Sequence, residues 1–215
     1  MMSWNEIFPP FGLVIRCGPV EMRGLSQDDI PALTHMATRG VHNGPPTPFS
    51  GSDWSAQPPR KLPLNSSRFY WQTWAEFTPE RWTLLTVVHR DGEIVGCQDV
   101  RTEDFVTRRL ASTGSWLGLA HQRRGTGTLM RQAICAFAFD ELGATQMRTE
   151  AFADNAASLG VSRAVGYREY DRIPMVREGA AADMVALKLT PESFVRPAYP
   201  LEVQGAAEFR EFIGL

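Results

Sequence analysis

The stretch from Gly114 to Tyr167 decides the reading, and at its centre stands Gln122-Arg123-Arg124-Gly125-Thr126-Gly127. Before it, Leu110 to Leu119 reads as a strand. After it, Thr126 to Leu142 carries Leu129, Met130, Ala133, Ile134 and Phe137 on one broad arc, the pattern of a helix packed on a sheet, and Gly143 ends it. Thr145 to Phe152 reads as the next strand, and Asn155 to Val165 as a short helix closed by Gly166. Two glycines where a strand hands over to a helix let backbone N–H groups turn inward around an anion, and the positive end of the helix points at the same place. Thr126 or Thr128 adds a hydroxyl donor. This pattern fits a pyrophosphate. It is not the ATP-binding P-loop, because no Lys-Ser/Thr pair follows the glycines, and it lacks the third glycine and ribose-binding acid of the dinucleotide fingerprint. Six residues alone also suit an ordinary tight turn.

Working outward, Val20 to Arg23 reads as a first strand, and Ser26 with Asp28 and Asp29 starts a helix bearing Ile30, Leu33 and Met36. Gly40 to Pro63 shifts to Pro, Gly and Ser, and with Phe49 and Trp54 it reads as a loop covering a pocket. Asn65 is expected to cap a helix running to about Phe77, with Phe69, Tyr70, Trp71 and Trp74. Trp82 to His89, the turn Arg90-Asp91-Gly92 and Ile94 to Val100 form a hairpin. A second turn spans Thr102 to Arg108, Val176 and Met184 to Leu189 mark two last core strands, and Ala206 to Ile213 ends the tail as a short helix.

The 215 residues hold 22 Lys plus Arg against 24 Asp plus Glu, a net charge of −2 that excludes a polybasic nucleic-acid binder. Hydrophobic residues at 43% exclude disorder. Only Lys61 and Lys188 are lysines, which suits either GC-rich codon usage or an arginine-lined anion site. Cys17, Cys97 and Cys135 have neither disulfide nor zinc spacing, so no metal is expected. With no basic leader and no stretch near the roughly 20 apolar residues of a membrane span, the expectation is a cytoplasmic protein that binds neither membrane nor nucleic acid.

Taken in order, Trp116-Leu117-Gly118-Leu119, the Gln-x-x-Gly-x-Gly turn, Asn155-x-x-Ser158 and Val165-Gly166-Tyr167 resemble the GNAT superfamily of acyl-CoA-dependent N-acyltransferases. Within it the chain is similar to the RimJ/RimL-type enzymes that acylate α-amino groups. It is nearest to actinobacterial proteins described as succinyl-CoA transferases, which share runs like Gly114-Ser-Trp-Leu-Gly-Leu119 and Asp154-Asn-x-Ala-Ser158. The resemblance is strong from about Trp82 to Leu189. It implies an α/β (α+β) three-layer fold with helices on both faces of a central mixed sheet of about seven strands. One domain would occupy 1–215, with a core of about 20–190 and a tail, 191–215, that only the nearer group shares. The sheet would splay between its fourth and fifth strands, here Ser112 to Leu119 and Thr145 to Phe152. Unpaired backbone groups there would hold the pantetheine arm as though it were a strand, through Leu117 and Leu119, with the Leu117 N–H polarising the thioester carbonyl. Gln122, Arg124, Gly125, Thr126, Gly127 and Thr128 would hold the pyrophosphate, Asn155 the cofactor arm and Arg163 the 3′-phosphate. Family members often dimerise, so Leu201 to Leu215 is a candidate exchanged or interface element of a homo-oligomer.

The implied reaction is direct attack of a neutral amine on the thioester of acetyl-CoA or succinyl-CoA. Ser158 matches the serine that donates to the departing thiolate, against the plainer use of bonding a carbonyl one turn back. Tyr167 matches an aromatic near the cofactor, against plain core packing. No motif names the base: Met175 stands where RimL-like enzymes carry a carboxylate, and Ser115 where other branches carry an acid. Asp99, Glu103, Asp104 and Glu150 are candidates near strand ends, and His89 and His121 receive no role. An α-amino group with a pKa of about 7.7–8.0 needs less help than a lysine at about 10.4, and this favours an α-amino or similarly acidic amine over lysine. The acceptor is a protein N-terminus, a lysine or a small amine. A succinyl carboxylate would need a cation such as Arg101 or Arg148. The competing readings are a non-catalytic acyl-CoA-binding or sensing module, which the missing carboxylate keeps open, and a nucleotide-phosphate enzyme, which predicts ATP binding over CoA.

Overall fold

The computed structural model describes residues 1–44, 46–49 and 54–215, so part of the expected pocket-covering loop, Pro45 and Ser50 to Asp53, lies outside the described residues. In chain order the elements are α1 (Trp4–Ile7), β1 (Val14–Cys17), β2 (Val20–Gly24), α2 (Ile30–Thr38), α3 (Leu62–Ala75), β3 (Arg81–Arg90), β4 (Glu93–Glu103) and α4 (Phe105–Arg108). There follow β5 (Leu110–Leu117), α5 (Thr126–Asp140), β6 (Gln146–Phe152), α6 (Ala156–Val165), β7 (Arg168–Arg177), β8 (Ala180–Leu189), β9 (Leu201–Gln204) and α7 (Ala206–Phe212). The strands join in one mixed sheet ordered β7-β8-β6-β5-β4-β3-β2-β1-β9. Among the described residues only β5 and β6 pair in parallel.

The α/β class and the mixed sheet hold, but the sheet has nine strands rather than about seven. The two additions lie at one edge. Four-residue β1 pairs with β2 on one side and with β9, from the tail, on the other. The tail therefore adds an outer strand to its own chain's sheet. Strand β7, expected at Val176 as a core strand, is an outer strand of ten residues, exposed along nearly its whole length. Helix α3 starts at Leu62 rather than at an Asn65 cap, because Pro63 is favoured in a first helical turn. The expected turn at Thr102 to Arg108 holds the short helix α4, bracketed by Asp104 and Arg109 with φ of 52° and 50°.

Central strand β3 buries both faces: Leu84 and Val88 meet the layer of α5, while Leu85 and Val87 meet Leu33 of α2 and Tyr70 of α3. The α5 face is the larger core, and Ala133, Ile134 and Phe137 are wholly buried there. At its far end Trp82 packs against Phe105 (ring centroids 5.5 Å apart) and Phe209 of α7 (5.6 Å). Gly166 closes α6 at φ 100°, and a Cβ there would lie 2.0 Å from Ser193 O, so only glycine lets the tail pass this close.

Candidate active site

β5 and β6 share three rungs, Leu110 with Gln146, Ala111 with Met147 and Ser112 with Arg148, and then separate. Each keeps its other neighbour: β5 pairs with β4 as far as Leu117, and β6 with β8 as far as Phe152. A slot therefore opens inside the sheet. Thr149 Oγ1 donates to Thr113 O across its closed end at 3.1 Å, and on the opposite edge Gly118 N–H donates to Val95 O at 3.0 Å. Backbone groups alternate along a strand, so those of Ser115 and Leu117 turn toward the slot. Leu119 does not share this role. Its N–H donates to Gly40 O and its carbonyl accepts from Gln122 N–H, so its backbone is already engaged.

The glycine turn stands at the open end of the slot. Gly125 takes φ 78° at the start of α5, and nothing lies within 4 Å of a Cβ built there. A Cβ on Gly127 would lie 3.4 Å from Val161 of α6 and 3.9 Å from Leu117, so this position sits between α6 and the Leu117 side of the slot. Gln122 braces the turn, its amide donating to Leu117 O (2.9 Å) and Val41 O (2.8 Å). Arg90, which the sequence did not single out, donates to Arg124 O and Thr126 Oγ1, both at 2.7 Å, and thereby ties the turn to the end of β3. The Thr126 hydroxyl is thus buried and engaged, while Thr128 is half-exposed in the first turn of α5. The cradle offers backbone N–H groups and a helix dipole, which fits a pyrophosphate.

Asn155 caps α6, its side-chain oxygen accepting from Ser158 N–H at 3.1 Å. The back-bond weighed for Ser158 is made instead by Ser162, whose Oγ donates to Ser158 O at 2.9 Å. The half-buried Ser158 hydroxyl has no partner among the described residues. Arg163 lies on the exposed face of the helix. Tyr167 is core: its hydroxyl meets Cys135 Sγ at 3.3 Å, and burial pushes its pKa well up. Beside Asn155 a cavity of about 290 Å³ is lined by His42, Pro46, Pro48 and the Asp154–Arg177 ion pair.

The Acetyltransferase (GNAT) domain profile matches residues 20–168, well over half of the chain. The chain belongs to the GNAT acetyltransferase family. RimJ of Mycobacterium smegmatis, solved with a CoA disulfide, is 21% identical, with 93% of each chain covered and a TM-score of 0.71. RimL, a ribosomal L7/L12 α-N-protein acetyltransferase solved with CoA, is 14% identical over 84% of this chain and 99% of its own, at 0.65. Spermidine N-acetyltransferase from Vibrio cholerae, solved with CoA and spermine, is 12% identical over 82% and 98%, at 0.63.

For a GNAT protein the next requirement is a group near the acceptor, and the structure separates the candidates. Asp99 lies against β5, its Oδ1 accepting from Gly114 N–H at 2.8 Å, and a Cβ on Gly114 would meet Oδ2 at 2.7 Å. By register Asp99 opposes Gly114, and Glu150 of β6 stands two residues past the last β5–β6 rung. Glu150 thus stands beside the slot, Asp99 lies one strand away across Gly114, and Glu103 and Asp104 lie exposed at the far end of β4. Arg101 and Arg148 both sit beside Ser112, where the slot closes. His89 accepts from Arg23 at 2.8 Å, and burial, then that guanidinium, hold its pKa below the usual value. The three cysteines are buried, and desolvation raises each thiol, Cys135 to about 11, so none supplies a thiolate for a covalent intermediate. Among the described residues no His/Cys/Asp/Glu group is placed to hold a metal, and no helix is long and apolar enough to cross a membrane.

Proposed function

We propose that the protein is an N-acyltransferase that moves an acetyl or succinyl group from acyl-CoA to a primary amine by direct attack on the thioester. The observation that carries this is the parting of β5 and β6 beyond Ser112 and Arg148, with the Gly125–Gly127 turn at the open end. Leu117 N–H takes the acyl oxygen, and Gln122, Arg124, Gly125, Gly127 and Thr128 frame the pyrophosphate. Thr126 shapes the turn, Asn155 and Ser158 meet the cofactor arm, and Arg163 reaches the 3′-phosphate. Arg101 or Arg148 would receive a succinyl carboxylate. The acceptor is a protein N-terminus, a lysine or a small amine, of which the relatives solved as an α-N-protein acetyltransferase and with spermine offer examples.

Asp99 accepts the amine proton, directly or through one water. Thiol release from acetyl-CoA and succinyl-CoA with a panel of amines tests the reading, with calorimetric CoA binding alongside. Turnover on at least one amine is expected, and Asp99→Asn should lose it at neutral pH and regain it as rising pH neutralises the amine in solution. CoA binding without turnover on any amine would instead assign a binding module, a reading that Met175, at the position of the expected carboxylate, keeps in view. Ser158→Ala should lower kcat about tenfold while CoA affinity holds, the loss expected for one neutral hydrogen bond to the leaving thiolate. An unchanged kcat would remove Ser158 from the chemistry.

A further inference from the structure

Arg131 of α5 is 3% exposed and makes no ion pair among the described residues. Its guanidinium bridges the slot on the α5 face, one nitrogen donating to Ser115 Oγ of β5 at 3.0 Å and another to Thr149 Oγ1 of β6 at 3.2 Å. Its Nε is buried without a partner. A buried cation with no counter-charge is costly, and an arginine does not neutralise to relieve it. The two hydroxyls it touches differ. Thr149 passes its hydrogen on to Thr113 O, whereas Ser115 Oγ accepts from Arg131 and its hydrogen has no acceptor among the described residues. An oxygen that accepts from a cation becomes a stronger donor. The Ser115 backbone faces the slot, two residues before the Leu117 N–H assigned to the acyl oxygen.

We propose that Ser115 is a catalytic hydroxyl donor to the acyl oxygen and that Arg131 is the positioning residue that aims and polarises it. The inference rests on the transferase reading. As the amine nitrogen bonds to the thioester carbon, the carbonyl pair moves onto oxygen, where the Ser115 O–H and Leu117 N–H receive the charge. The C=O then re-forms and the C–S bond breaks. Amine and thioester leave as amide and free CoA thiol, the amine proton ending on sulfur by way of Asp99 or water.

Ser115→Ala should lower kcat roughly 10- to 100-fold, the loss of one polarised donor, with CoA affinity unchanged. Arg131→Met should lower kcat similarly while its melting temperature holds or rises, because an unpaired buried charge has been removed. Since Arg131 acts through Ser115, the double variant should be no slower than the slower single variant. A second readout needs no turnover. The infrared C=O stretch of bound, carbonyl-labelled acetyl-CoA without amine should lie at lower frequency in the wild type than in Ser115→Ala. A wild type that turns over no amine would sink the transferase reading, yet a carbonyl shift lost in Ser115→Ala would still support the contact. A Ser115→Ala variant with wild-type kcat, or an identical carbonyl frequency in both proteins, overturns the proposal. Should Arg131→Met fail to fold, the Ser115→Ala comparison decides alone.

Discussion

Gly127→Glu should weaken CoA binding by at least about 100-fold and leave the fold intact. A side chain longer than a methyl at this position must displace or pass Val161 and Leu117, beside the proposed pyrophosphate cradle. A carboxylate there also sets a negative charge beside the pyrophosphate, and two like charges 4 Å apart repel by about 1 kcal/mol in water and about 4 in a partly buried setting. The helix itself gains, because glycine is a poor helix former and an acidic residue in the first turn complements the dipole. Calorimetry with CoA should thus show lost affinity beside an unchanged or raised melting temperature. Gly127→Ala, which adds only a Cβ at a contact of 3.4 Å, should fall between the two. CoA affinity retained in Gly127→Glu would place the pyrophosphate elsewhere.

The second large effect concerns stability. Trp82→Ala should cost about 3–5 kcal/mol, the range for deleting a large buried aromatic. Trp82 is almost fully buried at the meeting point of three segments: Phe77 after α3 stacks on it at 6.1 Å, Phe105 of α4 meets it, and Phe209 brings in the C-terminal helix. Urea unfolding should show the loss, with a fall in melting temperature of roughly 10 °C. Hydrogen exchange should quicken first in β9 and α7, which depend on this cluster for their docking. Trp82→Phe should cost a fraction as much, since it also removes an indole N–H that is buried without a partner among the described residues. Loss of stability with the tail still protected would mean that the β1–β9 pairing and the contacts of α7 with Phe8, Phe77 and Phe137 hold the tail without the indole.

Local chemistry made the strand–turn–helix from Leu110 to Asp140 legible, because a strand pattern, two glycines and an apolar helical arc each act over a few residues. The hairpin of β3 and β4 was legible for the same reason, as was the short helix from Asn155 to Val165. Strands β1 and β9 were not, and β7 was marked only at Val176, as a core strand. They are short or exposed, and their stability comes from pairing with residues far away in the chain rather than from their own pattern.

At the site, spacing picked out the glycines, and the resemblance to the GNAT family picked out Leu117, Gln122 and Ser158, all on or beside that local unit. Only folding could set Asp99 against Gly114, divert the Leu119 backbone to Gly40, or clip the turn with Arg90. Only folding, too, could lay Arg131 under the gap between two strands. An arginine within an apolar helical arc reads as one more surface charge until the sheet closes over it, since burial and charge pairing belong to the whole chain and not to any short stretch of it.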